Sequence, residues 1–179
     1  MIAVVRGALA GTAADAVLRP VTADWTAVNP AMRRLELEAG PDVERQCRSL
    51  GEVPVGAAVV TGAGDLRVQF MVHVVVRSID TPVTPAGVRK ALQAGLRRLE
   101  EWGIRRVALP PLGTGAGNLD AEESADLMVP ILLEHMETDR DPREIVIVTD
   151  SDYEQDAFER RLRLTGPVPA ADAERPPLH

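Results

Sequence analysis

Arg106-Val107-Ala108-Leu109-Pro110-Pro111-Leu112-Gly113-Thr114-Gly115-Ala116-Gly117-Asn118-Leu119-Asp120 is the stretch on which the reading of this chain turns. A short apolar run ends in a loop with glycine at every second position, and a patterned helix follows at once. Such a junction brings bare backbone N–H groups and a helix N-terminus up to an anion. The loop holds no lysine, histidine or cysteine, so phosphate binding there would rest on main-chain dipoles. Glycine also serves strand-to-helix turns purely for tight geometry, and from the loop alone both readings stand. It does not match a nucleoside-triphosphatase P-loop, which closes on Lys followed by Ser or Thr. Nor does it match a dinucleotide fingerprint: the third glycine comes one residue early and the strand–loop unit sits late in the chain.

Working outward, Ile104 to Leu109 is the strand that feeds the loop. Asp120 and Glu123 stand at capping-box spacing, and the helix they open runs through Leu127, Met128, Ile131 and Leu132, with a kink predicted at Pro130. Upstream, Pro85 through Trp102 is a helix whose apolar stripe is Val88, Leu92, Leu96 and Leu99, closed by Gly103. Residues 56–61 and 69–76 read as strands, the second nearly continuous in apolar character, as where both sheet faces are covered. Met32, Leu35 and Ala39 mark a helix after Asn29-Pro30, and Val43, Cys47 and Leu50 a second short one. Residues 2–5 and 15–19 are the first strands, residues 22–30 a loop. Glu144 to Thr149 is the last strand, and Asp150-Ser151-Asp152 starts a final helix. The alternation predicts one α/β domain over residues 1–164 with a largely parallel sheet between helices, and a disordered tail over 165–179. Ligands of such sheets bind beyond the carboxyl ends of the strands. The turn after Thr149 shares the rim of the glycine loop if the two strands are parallel.

Composition narrows the function classes. Hydrophobic residues are 45% and charged residues 26%, as in an ordinary globular protein. Aromatics at 3% and a net charge of −7 argue against nucleic acid, which asks for stacking platforms and clustered cations. Cys47 is the single cysteine, which rules out an intramolecular disulfide and fits a reducing compartment. The N-terminal apolar run is too short for a signal peptide and no run reaches membrane-spanning length, so a cytoplasmic location is expected and a membrane partner is not. His73 lies inside an apolar strand and reads as a hydrogen-bonded core residue. His135 lacks a partner at metal spacing, so neither a metal nor a cofactor is expected.

Taken together, the chain resembles a macro domain, the ADP-ribose-recognising α/β/α module, from about Ile2 to Leu162. The resemblance is carried by ordered segments: Val4-Val5-Arg6-Gly7 with Ala14-Asp15-Ala16-Val17, then Gly51 through Gly64 with Asp65-Leu66 and Phe70-Met71-Val72-His73, then Ala108 through Gly115. It implies a three-layer α/β/α fold with a mixed, largely parallel central sheet of about six strands. It further implies that Gly113, Thr114, Gly115, Ala116, Gly117 and Asn118 wrap a diphosphate with backbone amides, and that Thr22, Asp150 and Ser151 stand at the ribose and base rim. Three of the family's usual contacts are replaced. The Asn that approaches the distal ribose is Thr22, the glycine run of the first loop is Val28, Asn29 and Pro30, and the Asp that accepts the adenine amino group is Ala8.

These departures leave three functions open. One is a non-catalytic module for ADP-ribose or a related nucleotide diphosphate, free or on an ADP-ribosylated protein. A second is a hydrolase of ADP-ribosyl groups or ADP-ribose derivatives, in which Asp24, the one carboxylate of the altered loop, would position water. The third is a degenerate fold kept as an interaction unit, with Trp25 filling the groove or with Arg19, Trp25, Arg33 and Arg34 as a partner surface.

Overall fold

The computed structural model describes residues 1–115 and 118–165. Six strands run β1 (Ile2–Arg6), β2 (Ala16–Thr22), β3 (Ala58–Gly62), β4 (Phe70–Arg77), β5 (Arg106–Leu109) and β6 (Glu144–Thr149). Five helices join them: α1 (Pro30–Ala39), α2 (Pro41–Ser49), α3 (Pro85–Glu101), α4 (Ala121–Glu137) and α5 (Asp152–Thr165). The strands form one sheet in the order β1-β6-β5-β2-β4-β3, with every neighbouring pair parallel except β3 against β4. This is the mixed, largely parallel six-stranded sheet of a three-layer α/β/α fold.

Strand alternation builds a core on each face. Ala16 and Leu18 of β2 and Val72, Val74 and Val76 of β4 face α3, α4 and α5, where they meet Leu92, Met128 and Phe158. Val17 and Val21 of β2 and Met71 and Val75 of β4 face α1 and α2, against Met32, Leu35, Val43 and Cys47. Interior strands covered on both sides need apolar residues at consecutive positions, which is why residues 70–76 read as an unbroken run.

Helix boundaries follow local chemistry. Asn29 accepts from Met32 N and Pro30 fills the first helical position, where a missing N–H costs nothing. Thr84 and Pro85 repeat the device for α3. Asp120 and Glu123 form a reciprocal capping box at the head of α4, the helix leaving the glycine loop. α4 continues through Pro130 to Glu137 as a single element. The terminal segment expected to be a tail lies outside the described residues, except for Thr165, the last residue of α5.

Candidate functional site

β5, β6 and β1 lie side by side and parallel, so their carboxyl ends share one rim. A cleft of about 660 Å³ opens there, lined by residues 6–10 at the end of β1 and beyond it, residues 148–151 with Glu154 at the end of β6 and beyond it, and Pro110, Pro111, Thr114 and Gly115 after β5. α1 supplies the facing wall through residues 29–32, Arg34, Leu35 and Glu38. The position is the one that open α/β sheets offer to ligands.

The glycine loop divides its labour. Gly113 has φ +79, and a Cβ there would stand 2.8 Å from Val88 Cγ2 and 3.0 Å from Leu119 Cδ1. Glycine is required at that point by the packing behind the loop. Gly115, at φ +133, is exposed, and among the described residues a Cβ would meet the Asn118 side chain at 3.5 Å. Asn118 N donates to Gly115 O and Leu119 N to Gly113 O, both at 3.0 Å, which folds the loop back on itself. Thr114 and Gly115 line the cleft, whereas Gly113 and Asn118 are not among its lining residues. Among the described residues neither the Gly113 nor the Thr114 amide has an acceptor. Ala116 and Gly117 lie outside the described residues.

A family model for the macro domain matches residues 31–128. The chain belongs to the macro domain family. An Aquifex aeolicus protein is 30% identical over 169 residues, covering 91% of this chain and 98% of that one. A Mycobacterium tuberculosis relative is 31% identical over 96 residues, and there the match takes in only 27% of the relative's length. In structure the chain is similar to the Oceanobacillus iheyensis macrodomain, in a mutant form solved with ADPR, at a TM-score of 0.81 and 15% identity over 90% of this chain and 91% of that one.

Within this macro domain the other expected rim residues separate. Asp150 and Ser151 line the cleft. Ser151 Oγ also accepts from Glu154 N at 3.2 Å, so it caps α5, while Asp150 N donates to Glu154 Oε1 at 2.8 Å. Thr22 and Asp24 are not among the lining residues. The pairing of β2 with β4 shifts register between Val21 and Thr22, and Trp25 takes φ +72, which turns the chain back so that Val21 bridges Ala27. Thr22 is buried, its hydroxyl within bonding distance of Asp24 Oδ1 and of Thr26 O. The Thr22 hydroxyl, helped by the Thr26 amide, holds the Asp24 carboxyl below its ordinary range against a smaller opposing effect of burial. Asp24 is thereby engaged as the acceptor of a tight turn.

Two expectations are corrected here. Trp25 does not fill the groove: it is buried in the core on the α1–α2 side, donates Nε1 to Gly51 O at 2.8 Å and stands edge-on to His73. Arg19 is no part of an exposed basic cluster, being only 2% exposed. It lies between Val17 and Val21 on one face of β2, and its Nη1 donates to Glu36 Oε1 of α1 at 2.7 Å. Its Nε donates to His73 Nδ1 at 2.8 Å, so the neutral His73 carries its proton on Nε2, 2.7 Å from Thr61 Oγ1. Burial, reinforced by the Arg19 charge, pushes the His73 pKa well below its ordinary value. Burial raises the Cys47 thiol, 3.6 Å from that ring, which leaves it a packing residue. Among the described residues Arg19–Glu36 is the one ion pair joining α1, a wall of the cleft, to a strand.

No group of three or more His, Cys, Asp or Glu able to hold a metal occurs among the described residues, and no described helix is long and apolar enough to cross a membrane.

Proposed function

We propose that this macro domain binds ADP-ribose or a related nucleoside diphosphate in the rim cleft, with the diphosphate held by main-chain amides at Thr114 and Gly115. The observation that carries the reading is the cleft itself: it opens at the carboxyl ends of parallel strands and has the glycine loop on its edge, with Thr114 N unpaired among the described residues. Main-chain amides that converge on one point can hold phosphate without side-chain cations. The Oceanobacillus iheyensis macrodomain, similar in fold, was solved with ADPR and with ADP, which supports the same ligand class here. The binding reading is favoured over the hydrolase reading because Asp24 lies outside the cleft lining and is already bonded to Thr22 and Thr26.

Isothermal titration with ADP-ribose, ADP and AMP tests the proposal. Saturable binding of the two diphosphates at or below millimolar concentration is expected. Gly115→Glu should weaken it at least about tenfold, because about 1.4 kcal/mol of like-charge repulsion at the phosphate is enough. Absence of a response to all three ligands overturns the proposal. Release of ADP-ribose from a modified protein that depended on Asp24 would instead establish the hydrolase reading.

A further inference from the structure

The nucleotide reading makes α1 one wall of the site, and the contact that fixes this wall lies outside the cleft. Residues 29–32, Arg34, Leu35 and Glu38 line the cleft, while Met32, Leu35 and Ala39 pack into the core beneath the helix. Apolar packing is non-directional: it sets how near the helix lies, not its height or rotation on the strands. The directional contact is Arg19. Its buried guanidinium donates Nη1 to Glu36 Oε1 of α1 at 2.7 Å and Nε to His73 Nδ1 of β4 at 2.8 Å. One rigid planar group is thus bonded to the sheet and to the helix at once. Glu36 stands one turn after Met32 and two residues before Glu38, so movement at Glu36 is carried along the helix to the cleft wall.

The bonding pattern admits one protonation state. Thr61 Oγ1 gives its proton to Gly62 O at 2.8 Å, so it accepts from His73 Nε2–H at 2.7 Å, and Nδ1 is left to accept from Arg19. His73 faces Arg19 of β2, Thr61 of β3, the Cys47 thiol of α2 and the edge of Trp25. No carboxylate bonds it among the described residues, and Glu36 of α1 meets it through Arg19. A proton on Nδ1 would set a second donor and a second positive charge against Arg19 Nε in a buried site. The guanidinium would have to withdraw, and Glu36 with it.

We propose that Arg19 is a positioning residue for the nucleotide site, holding α1 at the height and rotation that complete the cleft opposite the glycine loop, and that it does so only while His73 is neutral. The inference rests on the nucleotide reading above. Ligand and proton then compete without sharing a contact, because the ligand favours the state in which α1 is held. Burial and the Arg19 charge keep His73 below its ordinary range, so this competition is silent at neutral pH and enters as pH falls well below about 6.5.

Calorimetry on the full chain with ADP-ribose, whose diphosphate has no proton that titrates near neutrality, tests this, with Tm recorded for each variant. Arg19→Lys keeps the charge but cannot span both partners, and Glu36→Gln keeps an acceptor for Nη1 without its charge. Each should weaken binding about fivefold or more at neutral pH, the lower end of ordinary coupling free energies. If Arg19→Lys does not fold, Glu36→Gln decides. Arg33→Gln, which removes only the exposed partner of Glu36, should leave affinity within about twofold. Wild-type affinity should be level above about pH 6.5 and fall in more acid solution while circular dichroism still reports folded protein. His73→Gln, which offers Arg19 an oxygen and takes up no proton, should remove that fall. Folded variants at Arg19 and Glu36 that bind within about twofold of wild type overturn the positioning role. Coincident pH profiles for wild type and His73→Gln overturn the His73 condition. Both results leave the nucleotide reading standing, whereas wild-type protein that binds no ADP-ribose at neutral pH overturns that reading and this inference together.

Discussion

Replacing Arg19 by methionine tests how α1, the helical wall of the cleft, is held to the sheet. The guanidinium is 2% exposed and its partner Glu36 only 11%, so the pair sits at low dielectric at 2.7 Å. Arg19→Met keeps the apolar stem but leaves the Glu36 carboxylate with Arg33, an exposed partner, and leaves His73 Nδ1 without its donor. Removing one member of a buried pair costs about 3–5 kcal/mol, and the orphaned imidazole acceptor alone would account for about 1–3 kcal/mol. The two overlap, so the expected loss is about 3–5 kcal/mol in all, a large share of the roughly 5–15 kcal/mol that holds a typical domain folded. Urea unfolding followed by circular dichroism gives the number from the midpoint and slope. The double variant Arg19→Met/Glu36→Leu should lose less than the sum of the two singles, because an apolar replacement of both charges removes the unpaired carboxylate. A loss under about 1 kcal/mol for Arg19→Met, or strict additivity in the double variant, would refute the claim that this pair tethers α1.

Other consequences follow from single residues. The folded-state pKa of His73 is depressed, so its contribution is intact above the unfolded value of about 6.5 and is lost as pH falls below it. Denaturation curves should therefore show stability dropping by up to about 1.4 kcal/mol per pH unit below about pH 6.5, and His73→Gln should flatten that slope. Gly113→Ala forces a Cβ to within 2.8 Å of Val88 at φ +79, and thermal unfolding should register a loss of about 1–3 kcal/mol. Asp120→Ala removes the α4 capping box and should cost about 1 kcal/mol, visible as faster amide exchange in the first turn of that helix.

Much of this fold was readable because its signals are local. The Asn29-Pro30 helix entry, the Pro85 start of α3, the Asp120–Glu123 box and the unbroken apolar run of β4 each act over a few residues, and each appears where the sequence places it. The position of the glycine loop at the end of β5, on a rim shared with the turn after β6, follows from the strand alternation. The other wall was less legible. The resemblance puts Thr22 and Asp24 in the first ligand loop, whereas a register shift after Val21 and a left-handed Trp25 turn them into a closed hairpin, and α1 lines the cleft. Arg19 shows the same limit differently. Its place between the core-facing Val17 and Val21 was a period-two signal for burial, but its partners lie 17 and 54 residues away and meet it only through strand register and helix packing.

The proposed site is one cleft that holds a nucleoside diphosphate between the glycine loop and the α1 wall. Titrating ADP-ribose into isotope-labelled protein and following every backbone amide tests it most directly. Thr114 and Gly115 should shift together with residues 7–9, Asn29, Ala31, Asp150 and Ser151, all with one saturation midpoint. Saturable shifts that leave Thr114 and Gly115 unmoved, or that cluster away from the carboxyl ends of β5, β6 and β1, would contradict it.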